Sequence, residues 1–189
     1  MNQSPIPLEP VLHGWLQNAR KVPSPNQDNR PGSEISLLVI HCISLPPGHF
    51  GGDAIERLFC NRLVPEEHPF YREITGLKVS AHVLIDRQGR ITQFVPFHRR
   101  AWHAGVSRFQ EREKCNDFSI GIELEGTEST PYTGDQYFCL ARLTAVLLAT
   151  YPELTRERIV AHSDIAPGRK TDPGPSFDWA RYHQLLNGF

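Results

Sequence analysis

The run Leu37-Leu38-Val39-Ile40 is the feature that most constrains this chain. Consecutive aliphatic residues leave a strand with no face for water, so it must be covered on both sides. Such a strand lies inside a sheet with further layers above and below it. A second apolar run, Ile159-Val160-Ala161, has the same character, and each run is followed by a histidine, His41 and His162. If both strands run the same way, the two imidazoles arrive at one edge of the sheet.

Strands and helices alternate through the rest of the sequence. Ser119–Glu125 carries Ile120, Ile122 and Leu124 on one face and Gly121, Glu123 and Glu125 on the other. Residues 79–86 and 90–95 read as a hairpin turning at Arg87-Gln88-Gly89. Helices are expected after Asp53, with Ile55, Leu58, Phe59 and Leu63 on the apolar side, and after Ser176. Another is expected after Thr133, where Gln136 completes a capping box, and Pro152 stops it. A short helix is expected over residues 12–19, inside a Pro- and Asn-rich opening segment. The pattern predicts a single mixed α/β domain whose central mixed sheet is flanked by helices. Residues 1–35 are expected to be an irregular segment packing on a catalytic domain of residues 36–189, which is long enough to bury one sizeable core.

Composition narrows the function. A formal net charge of −1 with no basic block gives no electrostatic basis for binding nucleic acid or an anionic membrane surface. No apolar run approaches the length of a membrane span, and the opening residues lack the basic and apolar regions of a secretory signal. A cytoplasmic monomer acting on a small molecule is expected. Cys42, Cys60, Cys115 and Cys139 are too scattered for a cysteine metal site or a disulfide scaffold. Cys42, next to His41, reads either as a nucleophile or as a small buried filler.

The segment IVAHSDIAPGRKTDPGP passes from strand into a rigid loop bearing Arg169, Lys170 and Asp172. Alone, it reads more readily as an ordinary strand-to-helix loop. Joined to His41, it offers two imidazoles and a carboxylate with a fourth position open, which is the donor set of a catalytic zinc site. Zinc in such a site brings the pKa of its water to about 7. His103, in an irregular loop beside Trp102, is the rival ligand, whereas His82 in mid-strand reads as a core or groove-wall residue. Glu123 is either a general base on a cleft floor or the solvated side of a sheet.

Taken together, LLVIHCISLPPGHFGG, VSAHVLIDRQGRITQFVPF, RAWHAGVS, CNDFSIGIELEGT, YTGDQY and AHSDIAPGRKTDPGPSFDWARY resemble the bacterial cytoplasmic 1,6-anhydro-N-acetylmuramyl-L-alanine amidases. These belong to the wider zinc amidase and peptidoglycan-recognition family, and the resemblance spans most of the chain. It implies Zn2+ on His41, His162 and Asp172, and a catalytic pair of Glu123 and Lys170. It also implies substrate contacts at Cys42, Trp102, His103, Lys114, Ala166 and Arg169. The implied reaction is hydrolysis of the amide joining the lactyl group of anhydromuramic acid to L-alanine, in the recycling of cell-wall muropeptides that also control β-lactamase induction. Relatives commonly carry Asn where this chain has Cys42. At Lys114, Arg is also found in relatives, and Lys offers a carboxylate a point charge without a bidentate grip. Two other readings share these motifs: a binding-only module, which would lack a complete ligand triad, and a secreted wall hydrolase, which would need a signal peptide.

Overall fold

The computed structural model describes residues 11–189. In place of the helix expected over residues 12–19, Val11–Leu12 (β1) and Trp15–Leu16 (β2) pair as an antiparallel hairpin. His13 and Gly14 both take positive φ at its turn, the hairpin geometry that a glycine makes accessible. Leu16 donates its amide to Gln93 Oε1 at 2.8 Å, a long-range bond that outweighs local helix propensity. Arg20–Lys21 (β3) and Gln27–Asn29 (β4) complete the N-terminal segment.

The remaining strands are Leu37–Ile43 (β5), Val83–Ile85 (β6), Ile91–Gln93 (β7), Arg99–Ala101 (β8), Arg108–Phe109 (β9), Arg112–Glu113 (β10), Ser119–Glu125 (β11) and Ile159–Ala161 (β12). The helices are Ala54–Phe59 (α1), Pro69–Glu73 (α2), Gly134–Thr150 (α3), His162–Ile165 (α4) and Trp179–Leu186 (α5). The main sheet has the order β12-β5-β11-β6-β7-β3. Its first four strands run parallel, and β7 is antiparallel to β6, so the sheet is mixed as the sequence predicts.

Side-chain alternation divides the sheet into two faces. On one, Leu38, Ile40, Ile120, Ile122 and Leu124 join Leu140 and Leu147 of α3 and Tyr182 and Leu186 of α5 in the main core. On the other, Leu37 and Val39 pack with Ala104, Phe118 and Ile165. Ile43 and Leu84 pack there with α1 and α2. The functional groups lie on this second face, between those two smaller clusters.

The capping box of α3 is made in full: the Thr133 hydroxyl accepts from the Gln136 amide, and Gln136 Oε1 accepts from the Thr133 amide, both at 3.1 Å. The Thr133 hydroxyl also donates to the Arg87 carbonyl, tying α3 to the β6–β7 turn. Thr133→Ala is therefore expected to cost about 1 kcal/mol of stability, read as a lower denaturation midpoint with unchanged activity. Two other expected caps differ. Asp53 precedes α1 but turns its carboxylate to Arg57 at 3.1 Å and caps no amide. Asp178, not Ser176, caps α5 by accepting from the Arg181 amide, because the helix begins at Trp179 and Asp178 is the residue that immediately precedes it. The β6–β7 hairpin is shorter than expected because the Ser80 and His82 amides bond to Trp102 and Gly121.

Candidate metal centre and cleft

Strand register assembles the site. In the parallel β5–β11 pair, His41 lies opposite Glu123, so both side chains rise from the same face. Ala161 pairs with Ile40, and His162, the next residue, opens α4 beside His41. The loop after α4 returns Asp172, whose carbonyl accepts from the Ser163 amide.

His41 Nδ1 and His162 Nδ1 are 2.9 Å apart and lie 3.2 and 3.1 Å from Asp172 Oδ2. The opposite ring edges bear on the tautomers. His162 Nε2 is 3.2 Å from the Ala104 carbonyl, an acceptor suited to the tautomer that carries its proton on Nε2 and turns the Nδ1 lone pair to the cluster. His41 Nε2 is 2.9 Å from His103 Nδ1. Burial pushes His41 down to about 4 despite the pull of Asp172, leaving it neutral, which is the ligating form. Burial alone would raise Asp172, but its contacts with His162 and His41 outweigh that and keep it ionised. Lone pairs converging this closely need a proton or a cation between them. Tetrahedral ligands about 2.0–2.1 Å from a metal stand about 3.3 Å apart, close to this triangle. The donor set fits a metal ion.

The cluster opens into a cavity of about 470 Å³ lined by His41, His162, Asp172, Glu123 and Lys170, with Cys42, Trp102, His103 and Arg169 at its walls. Leu58, Phe70, Ile74, Leu77 and Val79 form an apolar side. One Glu123 carboxyl oxygen, Oε2, is sealed from solvent and has no hydrogen-bond partner. Burial pushes this carboxyl well above the usual range, Asp172 adds to the effect, and Lys170 opposes it. A neighbouring cavity of about 500 Å³ is lined by Lys114, Ala166 and again Arg169. Arg169 stands between the two, donating to the Ala104 and Val106 carbonyls at 2.6 Å. All eleven residues singled out in the sequence thus border these two cavities.

Cys42, one residue on from His41, packs against the main core, where burial pushes its thiol up to about 12. A thiolate there is scarce at neutral pH, which argues for the filler over the nucleophile. Cys42→Ser is expected to keep activity within about tenfold of the parent in a hydrolysis assay, where loss of a nucleophile costs far more. His82 is fully buried, accepting from the Gly121 amide at 3.0 Å on Nδ1, a core role. The sequence did not reveal Asn116, whose Oδ1 accepts from the His103 and Ala104 amides at 3.1 and 2.8 Å and so fixes the loop behind His41 and His162.

The chain is similar in sequence and fold to known proteins. The family profile described as N-acetylmuramoyl-L-alanine amidase matches residues 31–175. The Escherichia coli (strain K12) 1,6-anhydro-N-acetylmuramyl-L-alanine amidase AmpD is 58% identical over 175 residues, covering 92% of this chain and 95% of its own length. The crystal structure of a selenomethionine AmpD derivative superposes with a TM-score of 0.91 at 56% identity, covering 93% of this chain and 98% of its own. A Pseudomonas aeruginosa protein, AmpDh3, solved in complex with an anhydromuramic pentapeptide, superposes with a TM-score of 0.64 at 30% identity over 82% of this chain and 61% of its own. The chain belongs to the N-acetylmuramoyl-L-alanine amidase family.

Proposed function

We propose that this chain is a zinc-dependent amidase that hydrolyses the bond between the lactyl group of 1,6-anhydro-N-acetylmuramic acid and L-alanine of the stem peptide. The observation that carries this reading is the meeting, in one cleft, of the His41, His162 and Asp172 donors with an unpartnered Glu123 oxygen. The relatives named for the same reaction support it. The three donors would hold zinc, which supplies a Lewis acid for the amide carbonyl and acidifies water.

The chain's own groups perform the proton work and the positioning. Glu123, its carboxyl raised by burial, takes a proton from the attacking water and passes it to the alanine nitrogen as the C–N bond breaks. Lys170, on the same cavity wall, presents its ammonium to the negative charge developing on the carbonyl oxygen. Trp102 and Cys42 line the same cavity, and Lys114 and Ala166 line the neighbouring one across Arg169, where the Lys114 ammonium would meet a carboxylate of the stem peptide as a point charge.

In this reading the enzyme acts as a cytoplasmic monomer on recycled muropeptides and so removes fragments that induce β-lactamase. Residues 36–189 would form its catalytic domain, on which residues 11–35 pack through pairings such as β3 with β7 and β4 with β8, while residues 1–10 of the expected N-terminal segment lie outside the described residues. No helix among the described residues is long and apolar enough to cross a membrane. Mass spectrometry of the zinc-loaded protein with an anhydromuropeptide tests the reading. Release of the intact stem peptide together with the free anhydro-sugar is expected; an uncut substrate, or cleavage within the peptide, contradicts it.

A further inference from the structure

We infer that His103 is a positioning residue for the metal centre: it accepts a hydrogen bond from His41 and thereby fixes that ring's orientation and its ligating nitrogen. The inference rests on the reading of His41, His162 and Asp172 as zinc ligands. His103 Nδ1 lies 2.9 Å from His41 Nε2, the ring nitrogen that points away from the cluster, and the two rings meet edge-on at 84°. If the His41 Nδ1 lone pair serves the metal, the His41 proton sits on Nε2 and donates to His103 Nδ1. His103 then carries its proton on Nε2, which lies 3.1 Å from the Ser119 hydroxyl and donates to it. Each imidazole proton in the chain then has an acceptor. A metal-bound histidine whose second nitrogen is held this way keeps one tautomer and one ring plane.

The surroundings are shaped for this arrangement. Gly121 sits in the middle of β11, where a Cβ would overlap the His103 ring, so the missing side chain makes room for the imidazole against the strand. The Asn116 side chain holds the His103 and Ala104 amides. The adjacent Ala104 carbonyl orients His162 as His103 orients His41. Two consecutive residues on one clamped loop thus set both histidine ligands. Ala104 acts through its backbone, which leaves His103 as the member a side-chain substitution can test.

The test compares His103→Leu and His103→Asn with the parent in zinc affinity, by competition with a chromogenic chelator, and in the solvent exchange of the His41 Nε2 proton in zinc-loaded, histidine-labelled protein. His103→Leu removes the acceptor and is expected to weaken zinc binding by roughly 10–100-fold and to speed that exchange. His103→Asn places an amide oxygen near the lost Nδ1 and is expected to restore most of the affinity and the slow exchange. A role limited to filling space beside Gly121 would leave the exchange unchanged. The inference is overturned if His103→Leu binds zinc as tightly as the parent with equally slow exchange, or if His103→Asn is as impaired as His103→Leu. A parent protein that binds no zinc overturns the metal reading itself, and this inference with it.

Discussion

Glu123→Gln is expected to lower turnover by roughly a hundredfold or more while leaving zinc content unchanged. Glutamine keeps the shape and reach of the side chain but cannot accept and return a proton. Glu123 is not among the converging donors, so the metal should stay in place. The substitution also has a stability signature in zinc-free protein. Burial raises the folded carboxyl above its unfolded value of about 4.3, so its favourable contribution is complete below that pH and is lost as pH rises through the folded value. Gln does not ionise. Its advantage in thermal denaturation should therefore appear at about pH 8 and vanish towards pH 4. Near-normal turnover in this variant would place Glu123 outside the chemistry, as the polar side of an ordinary strand.

Asp172→Ala is expected to abolish hydrolysis by another route. It removes the anionic donor and leaves two buried imidazoles facing each other at 2.9 Å. Loss of a Lewis acid contributing several kcal/mol corresponds to about a thousandfold or more in rate. Unlike Glu123→Gln, this variant should be purified with little or no zinc, and elemental analysis separates the two effects. Full zinc occupancy in Asp172→Ala would exclude its carboxylate from the ligand set.

Much of this site is legible in the sequence because it depends on patterns a single strand can carry. The apolar run of β5 and the alternation of β11 assign each residue to a face, and the parallel register then brings His41 beside Glu123. The α3 capping box is equally local and is found where Thr133 and Gln136 predict it. What stays hidden depends on partners far along the chain. The N-terminal hairpin is stabilised by Gln93, 77 positions from Leu16, and no property of residues 12–19 signals that bond. Ser176 and Asp178 are both good capping residues, and only the start of α5 at Trp179 selects Asp178. His103 stands out in its irregular loop, but residue type does not distinguish a ligand from a substrate contact or a support. The 2.9 Å contact of its Nδ1 with His41 Nε2 is the observation from which we infer a support. Gly121, a glycine inside an otherwise regular strand, was the local sign that something packs closely there.

The most direct test removes the metal and returns it. Protein dialysed against a chelator, verified metal-free by elemental analysis and mixed with an anhydromuropeptide should release no stem peptide by mass spectrometry, and one equivalent of zinc should restore cleavage of the lactyl–alanine bond. Full activity in the verified metal-free protein would contradict catalysis built on His41, His162 and Asp172, and would return Cys42 to consideration as the nucleophile.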